Sequence, residues 1–379
     1  MGIDQRFWTG RRVLITGHTG FKGTWLTAWL QQMGAVVTGF GKASPTDPSL
    51  FAASGLALHI EHLEGDVADV AALCEVVARV RPEIVFHLAG QAILRQGFDD
   101  PVGTFRTNVM GTVAMLDAIR RVSSVRAAVL VTSDKCYLDQ RRICAEDDPL
   151  GGHEAYGASK ACAEIAIQSF RAAYFPGSFT CGIASARAGN VFGAGDFAPS
   201  RLVPDLARAF LRGELPRLRS PEAVRPWQHV LDAVAGYLRL AELLHQRPEM
   251  YSTSWNFGPE AGSEWTVGAI ADALASAFGI QGWENAPPLP VQEEALLRLQ
   301  TSRARRRLGW QPQLGMAEAL RWTAQGYKRL HGAGDTSWLA DQIARYHARL
   351  QDHDARPAEG ELVDLMTHAV ARTSQHEAA

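Results

Sequence analysis

Only five cysteines occur in 379 residues, and none falls in a CxxC or zinc-finger spacing. Cys74, Cys136, Cys144, Cys162 and Cys181 are odd in number and scattered over expected helices, strands and loops. That excludes a disulfide scaffold and points to a reduced, cytoplasmic protein without a metal site. No apolar stretch approaches the roughly 20 residues of a membrane span. The N-terminus also lacks a secretory apolar core, so neither membrane insertion nor export is expected. Charge of one sign is missing too. The formal net charge is −2, which gives no electrostatic footprint for nucleic acid or a membrane surface. The Arg303–Arg307 run lies in an expected helix and reads as a solvated face. There is no internal repeat. What remains, 46% hydrophobic and 21% charged, is ordinary for a globular chain. Its length exceeds what one core usually serves, so two lobes are expected.

Glycines and short apolar runs organise the N-terminal half. Arg11 to Thr16 reads as a strand, and Gly20 to Met33 carries a helical apolar pattern. Between them, Gly17, Gly20 and Gly23 make a turn that lets a pyrophosphate approach backbone N–H groups at a helix start. A glycine triplet alone is weak evidence; between a strand and a helix it is strong. Thr19, Phe21 and Lys22 belong to the same turn. The second strand, Ala35 to Phe40, ends in Gly39-Phe40-Gly41, without the acid that commonly binds the adenosine ribose. Lys42 follows, either as a plain loop charge or as a reader of a 2′-phosphate. In Gly65-Asp66-Val67, Asp66 is placed to bond an adenine amino group, to cap the helix Val70 to Val80, or both. Ile84 to Leu88 is a strand, and Ala89-Gly90-Gln91 at its end would pass beneath a dinucleotide. Pro101 to Val122 reads as one long helix carrying Asn108.

Val125 to Val131 is short, apolar and β-branched, as a buried parallel strand should be. Thr132, Ser133, Asp134 and Lys135 then sit at its carboxyl end, the edge where open α/β sheets bind ligands. Tyr156 and Lys160, four apart at the start of a helix ending near Tyr174, share one face. A nearby ammonium lowers a phenol's pKa, so Tyr156 is a candidate base, although a YxxxK pair alone is more often a surface tyrosine beside a solvated lysine. Thr180 to Arg187 adds a strand. Strands alternating with helices imply an α/β fold with a Rossmann-type, doubly wound parallel sheet. From residue 189 the composition shifts to Gly, Pro and Arg, which marks a smaller C-terminal α/β substrate lobe at 189–350. Residues 230–258 are expected to pack back on the first lobe (1–188), and 351–379 to form a peripheral tail. Asn190, Arg201, Leu202, Val203 and Arg225 are candidate substrate contacts, the guanidinium forks suiting a diphosphate. Trp227 and His229 either line that pocket or belong to the core.

Four stretches carry a resemblance: Gly17-His18-Thr19-Gly20-Phe21-Lys22-Gly23-Thr24-Trp25-Leu26, Thr132-Ser133-Asp134-Lys135-Cys136-Tyr137, Pro149-Leu150-Gly151-Gly152, and Val224-Arg225-Pro226-Trp227-Gln228-His229-Val230. They resemble the extended short-chain dehydrogenase/reductase family, in its nucleotide-sugar branch of CDP-glucose 4,6-dehydratases, from about residue 5 to about 350. The resemblance implies NAD as cofactor, held by Gly17, Thr19, Gly20, Phe21, Lys22, Gly23, Asp66, Val67, Leu88, Ala89, Gly90, Gln91, Asn108, Thr132, Tyr156 and Lys160. It implies a CDP-sugar substrate and a catalytic set of Ser133, Asp134, Lys135, Tyr156 and Lys160. In that scheme Tyr156 takes the 4-hydroxyl proton, Ser133 bonds the same oxygen, Asp134 protonates the departing C6 oxygen, and Lys135 either takes the C5 proton as a neutral amine or, as a cation paired with Asp134, stabilises the developing enolate. Deoxysugar and lipopolysaccharide O-antigen synthesis would be the setting. The loop Leu138–Asp148 departs from the tryptophan-rich form expected of this branch. A 4-epimerase and a catalytically silent NAD-binding regulator are the rival readings. A homodimer is expected through helices near 101–122 and 157–174, with Val109, Val113, Leu116, Ile165, Ile167 and Phe170 beyond one core-facing stripe.

Overall fold

A computed structural model describes residues 2–176, 180–259, 262, 264–287 and 298–354. The expected tail beyond 354 lies outside the described residues. Seven strands form one sheet: β1 (Arg12–Thr16), β2 (Val36–Gly41), β3 (Glu61–Glu64), β4 (Ile84–His87), β5 (Ala127–Val131), β6 (Gly182–Ala188) and β7 (Ser254–Phe257). Their spatial order is 7-6-5-4-1-2-3, and every neighbouring pair is parallel. β4 to β7 are buried along their whole length, as strands covered on both faces must be. The pleat sends Val13 and Ile15 into one core and Leu14 into the other. Chain order reverses between β1 and β4. A ligand crevice opens at the carboxyl ends of strands at such a switch point.

One face of the sheet is covered by the helices Phe21–Gln32 and Val230–Gln246, and the other by Val70–Val80, Gly111–Arg120 and Ala155–Tyr174. The helix Ser337–Asp354 also returns to the first of these faces. Its Trp338 ring lies 5.6 Å from Trp25, its Tyr346 ring 5.6 Å from Trp29, and Gln351 bonds the Ile3 carbonyl. Ile343 and Leu350 are fully buried in the same seam, each contributing roughly 1.5–3 kcal/mol. The helices Leu202–Leu211, Val267–Phe278 and Met316–Ala333 pack on one another beside the carboxyl edge, joined by Phe210 against Phe278.

The expected single helix from Pro101 is three pieces: Pro101–Phe105, a π-helical turn Arg106–Met110, and Gly111–Arg120. The helix Ala155–Tyr174 begins where it does because the Glu154 carboxylate accepts from the N–H groups of Tyr156 and Gly157. Of the side chains expected outside the core, Leu116 and Ile167 are fully buried in it. Ile165 is exposed (54%) as expected; Val102 (77%) and Met110 (49%), and Phe98 (65%) in the preceding helix Leu94–Asp99, are exposed as well. The π turn shifts the helical phase at residue 106, which a uniform 3.6-residue count does not anticipate. No helix among the described residues is long and apolar enough to cross a membrane.

Candidate active site

The glycine turn is a cradle in which side chains do not fit. A Cβ on Gly17, whose φ is +72°, would stand 2.7 Å from the Ala89 backbone, and one on Gly23 would stand 2.1 Å from the Gly17 carbonyl. The helix that starts at Phe21 has Gly20 as its N-cap and no side-chain cap, so its first N–H groups stay free for an anion. Across the switch point, Leu88 to Gln91 continue from β4. A Cβ on Gly90 would meet the Asn108 Oδ1 at 2.9 Å and the Lys160 Nζ at 3.1 Å. Asn108, inside the π turn, ties three segments: its Oδ1 accepts from Gln91 N–H, and its Nδ2 donates to the Gln91 carbonyl and to Ser159 Oγ at 2.9 Å. These residues fit a dinucleotide: open backbone donors at a helix start, and a floor from which side chains are excluded.

Thr132 to Lys135 leave the end of β5 beside the start of the catalytic helix. The Ser133 hydroxyl donates to Asp134 Oδ1 at 2.9 Å, and the Tyr156 phenol lies beside it. Burial pushes the Asp134 carboxyl above its ordinary range, against the pull of Lys135, Ser133 and Lys22. Its other oxygen, Oδ2, is buried without a hydrogen-bond partner among the described residues. That oxygen stands beside Gly189, where a Cβ would come within 3.2 Å of it. Lys160 donates to the Val131 carbonyl at 3.3 Å, and burial lowers its pKa to about 8.

The expected lowering of the Tyr156 phenol by Lys160 is not what the structure shows. Burial pushes Tyr156 up to about 12; the neighbouring Ser133 hydroxyl and the charge of Arg201 pull the other way, while Asp134 and Glu154 add to the rise. Arg201 reaches Tyr156's surroundings because Asp196 holds its guanidinium at 2.8 Å. Lys22 joins the same group. Burial, Lys160 and Arg201 bring its pKa down to about 7, against Asp134 and Asp196.

The remaining predicted residues are placed as follows. Asp66 accepts from Ala68 N–H and pairs with Lys42, while the cap of Val70–Val80 is Asp69, so Asp66 is not the helix cap. Val67 is buried against Gly111. The Asn190 carbonyl pairs the segment after β6 with Gln228. Leu202 and Val203 open the helix that follows Arg201. Arg225 donates to the Val224 carbonyl at 2.9 Å. Trp227 bonds the Trp265 carbonyl. His229 is buried among Trp25, Phe192 and Trp322, and burial lowers its pKa to about 3. Trp227 and His229 border a cavity of about 560 Å³ with Asp232, Arg305 and Gln313; none of Ser133, Tyr156 or Lys160 lines it. Among the described residues no His, Cys, Asp or Glu cluster is arranged to hold a metal.

Sequence reasoning missed the groups that hold the site in place. Glu164 lies four residues beyond Lys160 and is fully buried with Arg187, 2.7 Å away. It also accepts from Thr132 Oγ1 and Ser185 Oγ. Arg187 donates in turn to the Tyr137 hydroxyl and the Glu146 carbonyl. The Tyr156, Lys160, Glu164 spacing was a usable signal for the first of these; Asp196 had none.

The model of the NAD dependent epimerase/dehydratase family matches residues 13–253. Among curated proteins, CDP-glucose 4,6-dehydratase of Salmonella typhimurium is 42% identical over 84% of this chain and 90% of its own length. Among solved structures, UDP-glucose 4-epimerase of Thermotoga maritima with UDP-glucose aligns at TM-score 0.75 and 22% identity, over 84% of this chain and 99% of that one. A dTDP-glucose 4,6-dehydratase from Streptomyces venezuelae with NAD bound aligns at TM-score 0.71 and 22% identity, over 85% and 98%.

Proposed function

This chain belongs to the NAD dependent epimerase/dehydratase family, and on that premise we propose that it is a hydro-lyase acting on a nucleotide hexose. The substrate is CDP-D-glucose, and the products are CDP-4-dehydro-6-deoxy-D-glucose and water. Bound NAD⁺ would supply the hydride acceptor for C4 and the hydride returned to C6. Tyr156 takes the 4-hydroxyl proton, with Ser133 beside it and able to hold the same sugar oxygen. The 4-ketone acidifies the C5 proton, which Lys135 removes as the neutral amine, becoming an ammonium beside the developing enolate. Asp134, whose protonated form burial favours, gives its proton to the departing C6 oxygen. Lys160 holds its ammonium at the β5 end. Arg201 and Arg225 are assigned to the diphosphate, and His229 to packing.

The observation that carries this reading is the buried Oδ2 of Asp134, without a partner among the described residues, beside Ser133 and Tyr156. Epimerisation at C4 needs no acid at C6, and a silent regulator needs no Ser133, Tyr156 and Lys160 together. Incubation with CDP-glucose and product analysis separates the three: a 4-keto-6-deoxy sugar supports the dehydratase, and a galacto-epimer or unchanged substrate overturns it. The same reading places the chain in the cytoplasm, in deoxysugar synthesis of the lipopolysaccharide O-antigen kind. It is a homodimer through the exposed Phe98, Val102, Met110 and Ile165, which are costly to leave in water. A strictly monomeric species in light scattering at micromolar concentration refutes the dimer.

A further inference from the structure

Asp134 and Lys135, assigned to C6 and C5, are consecutive residues of one 3₁₀ turn, Asp134–Cys136. Both side chains can address one edge of a sugar only if the backbone of that turn is fixed. Little inside the turn fixes it. Cys136 N–H reaches the Ser133 carbonyl at 3.3 Å, and Lys135 N–H reaches the Ser133 Oγ at 3.3 Å, both longer than the usual bond of about 2.9–3.0 Å. The turn is held instead at its carbonyls, from outside. Gly151 N–H donates to the Cys136 carbonyl at 2.8 Å. The side-chain amide of Gln140 donates to the carbonyls on either side, that of Lys135 at 3.1 Å and that of Tyr137 at 3.2 Å. Gln140 is only 6% exposed, so water does not stand in for these bonds. The amide is itself anchored, because the loop that carries it is tied down. Leu138 N–H donates to the Pro149 carbonyl at 2.9 Å, Cys144 Sγ to the Asp139 carbonyl at 3.3 Å, and Asn256 Nδ2 to the Cys144 carbonyl at 3.0 Å. Ile143–Cys144 also pairs with Arg298–Leu299. This loop, Leu138–Asp148, is the stretch whose sequence departs from the tryptophan-rich form.

We propose that Gln140 is a positioning residue for the elimination step: its amide holds the turn that carries Asp134 and Lys135, so water loss depends on it and oxidation at C4 does not. The proposal rests on the dehydratase reading above and adds the loop residue which that step requires. Oxidation at C4 draws on other elements. Ser133 leaves the end of β5, whose next residue Thr132 is bonded to the Ala186 carbonyl at 2.9 Å, and Tyr156 stands on the helix Ala155–Tyr174. Releasing the Gln140 amide leaves both of those supports in place. It frees the backbone between Lys135 and Tyr137, where a displacement of about 1 Å in a reacting group can cost roughly 10²-fold in rate.

Gln140→Met keeps the length and bulk of the side chain and removes both donors. Gln140→Glu keeps the shape and turns acceptors toward the two carbonyls. Each variant, as the full chain with NAD⁺, is mixed with CDP-glucose in D₂O for a single turnover. Absorbance of the reduced cofactor reads oxidation at C4, and deuterium at C5 of the sugar reads the next step. Cofactor reduction should stay within about threefold of wild type, while C5 exchange and product formation fall roughly 10–100-fold. Both signals come from one sample, so their ratio does not depend on how much of the variant is folded. If wild type dehydrates and the ratio is unchanged in both variants, whether because both steps slow together, because the fold is lost or because neither step slows, the proposal is overturned and the dehydratase reading stands. A galacto-epimer or unchanged substrate from wild type overturns that reading and the proposal with it.

Discussion

Replacing Glu164 by Gln strands a buried cation. Glu164 and Arg187 are both fully buried, with Nη2 and Oε2 2.7 Å apart. The carboxylate also accepts from Ser185 Oγ at 2.8 Å, Ser254 Oγ at 3.3 Å and Thr132 Oγ1. Removing one partner of such a pair costs roughly 3–5 kcal/mol, because the remaining charge stays desolvated and uncompensated. Against a typical total of about 5–15 kcal/mol, that is a large fraction. With a urea slope of about 3 kcal/mol per M, the unfolding midpoint should fall by about 1 M or more. Arg187→Met should cost a similar amount. The double variant Glu164→Leu, Arg187→Met removes both charges, so it should be more stable than the sum of the single changes allows. Burial raises the Glu164 pKa, but Arg187, Thr132 and Ser185 outweigh it, and the folded value lies below the ordinary one. The stabilisation is therefore present above the ordinary glutamate pKa of about 4.3 and is lost as pH falls through the lowered value. The deficit of Glu164→Gln should stay constant from neutral pH down to mild acid and shrink only below that range. A loss under about 1 kcal/mol, or strictly additive single changes, would refute the reasoning.

Tyr156→Phe should bind substrate nearly as wild type and turn over roughly 10²–10⁴-fold more slowly; turnover within tenfold removes the base assignment. Lys135→Met should still reduce the cofactor in a single turnover, while C5 deuterium exchange from D₂O nearly stops; rapid exchange in that variant would take the role from Lys135. Burial pushes Glu242 up to about 7, against Arg239 and the hydrogen bonds from Asp4 and Trp8. Its folded pKa is raised, so its stabilising contribution is complete below about 4.3 and is lost as pH rises through about 7. Glu242→Gln should therefore gain on wild type between about pH 5 and pH 8, by up to ~3 kcal/mol. A melting-temperature difference that does not vary with pH would reject this.

The parallel sheet was legible because most of its strands are short apolar runs ending in glycine or polar residues and followed by a helix-period pattern; the edge strand β3, Glu61–Glu64, with a single apolar residue, is the exception. The same punctuation put Gly17, Ser133 and Tyr156 at one edge, and that is where they lie. Local pattern stopped being informative where the phase slips, as at Arg106–Met110, and where a partner is distant in sequence. Arg201 was legible as a candidate for the diphosphate, but not the partner that orients it, Asp196, itself tied to the helix Met316–Ala333 through the Tyr327 hydroxyl. Spacing also placed Lys160 near Tyr156 but could not weigh burial against charge, so the direction of the phenol's shift was misjudged. His229 shows the same limit: its motif position is recognisable, while its aromatic surroundings come from Trp25, Phe192 and Trp322, far apart in the chain.

The central claim is that one site oxidises C4, eliminates water across C5 and C6, and returns the same hydride to C6. CDP-glucose carrying deuterium at C4 tests it in a single experiment, read by NMR and mass spectrometry of the product. The account predicts a 4-keto-6-deoxy sugar with the deuterium on C6 and a solvent-derived hydrogen on C5. Deuterium returned to C4 of a galacto-configured sugar, or recovered substrate with its label in place, would contradict it.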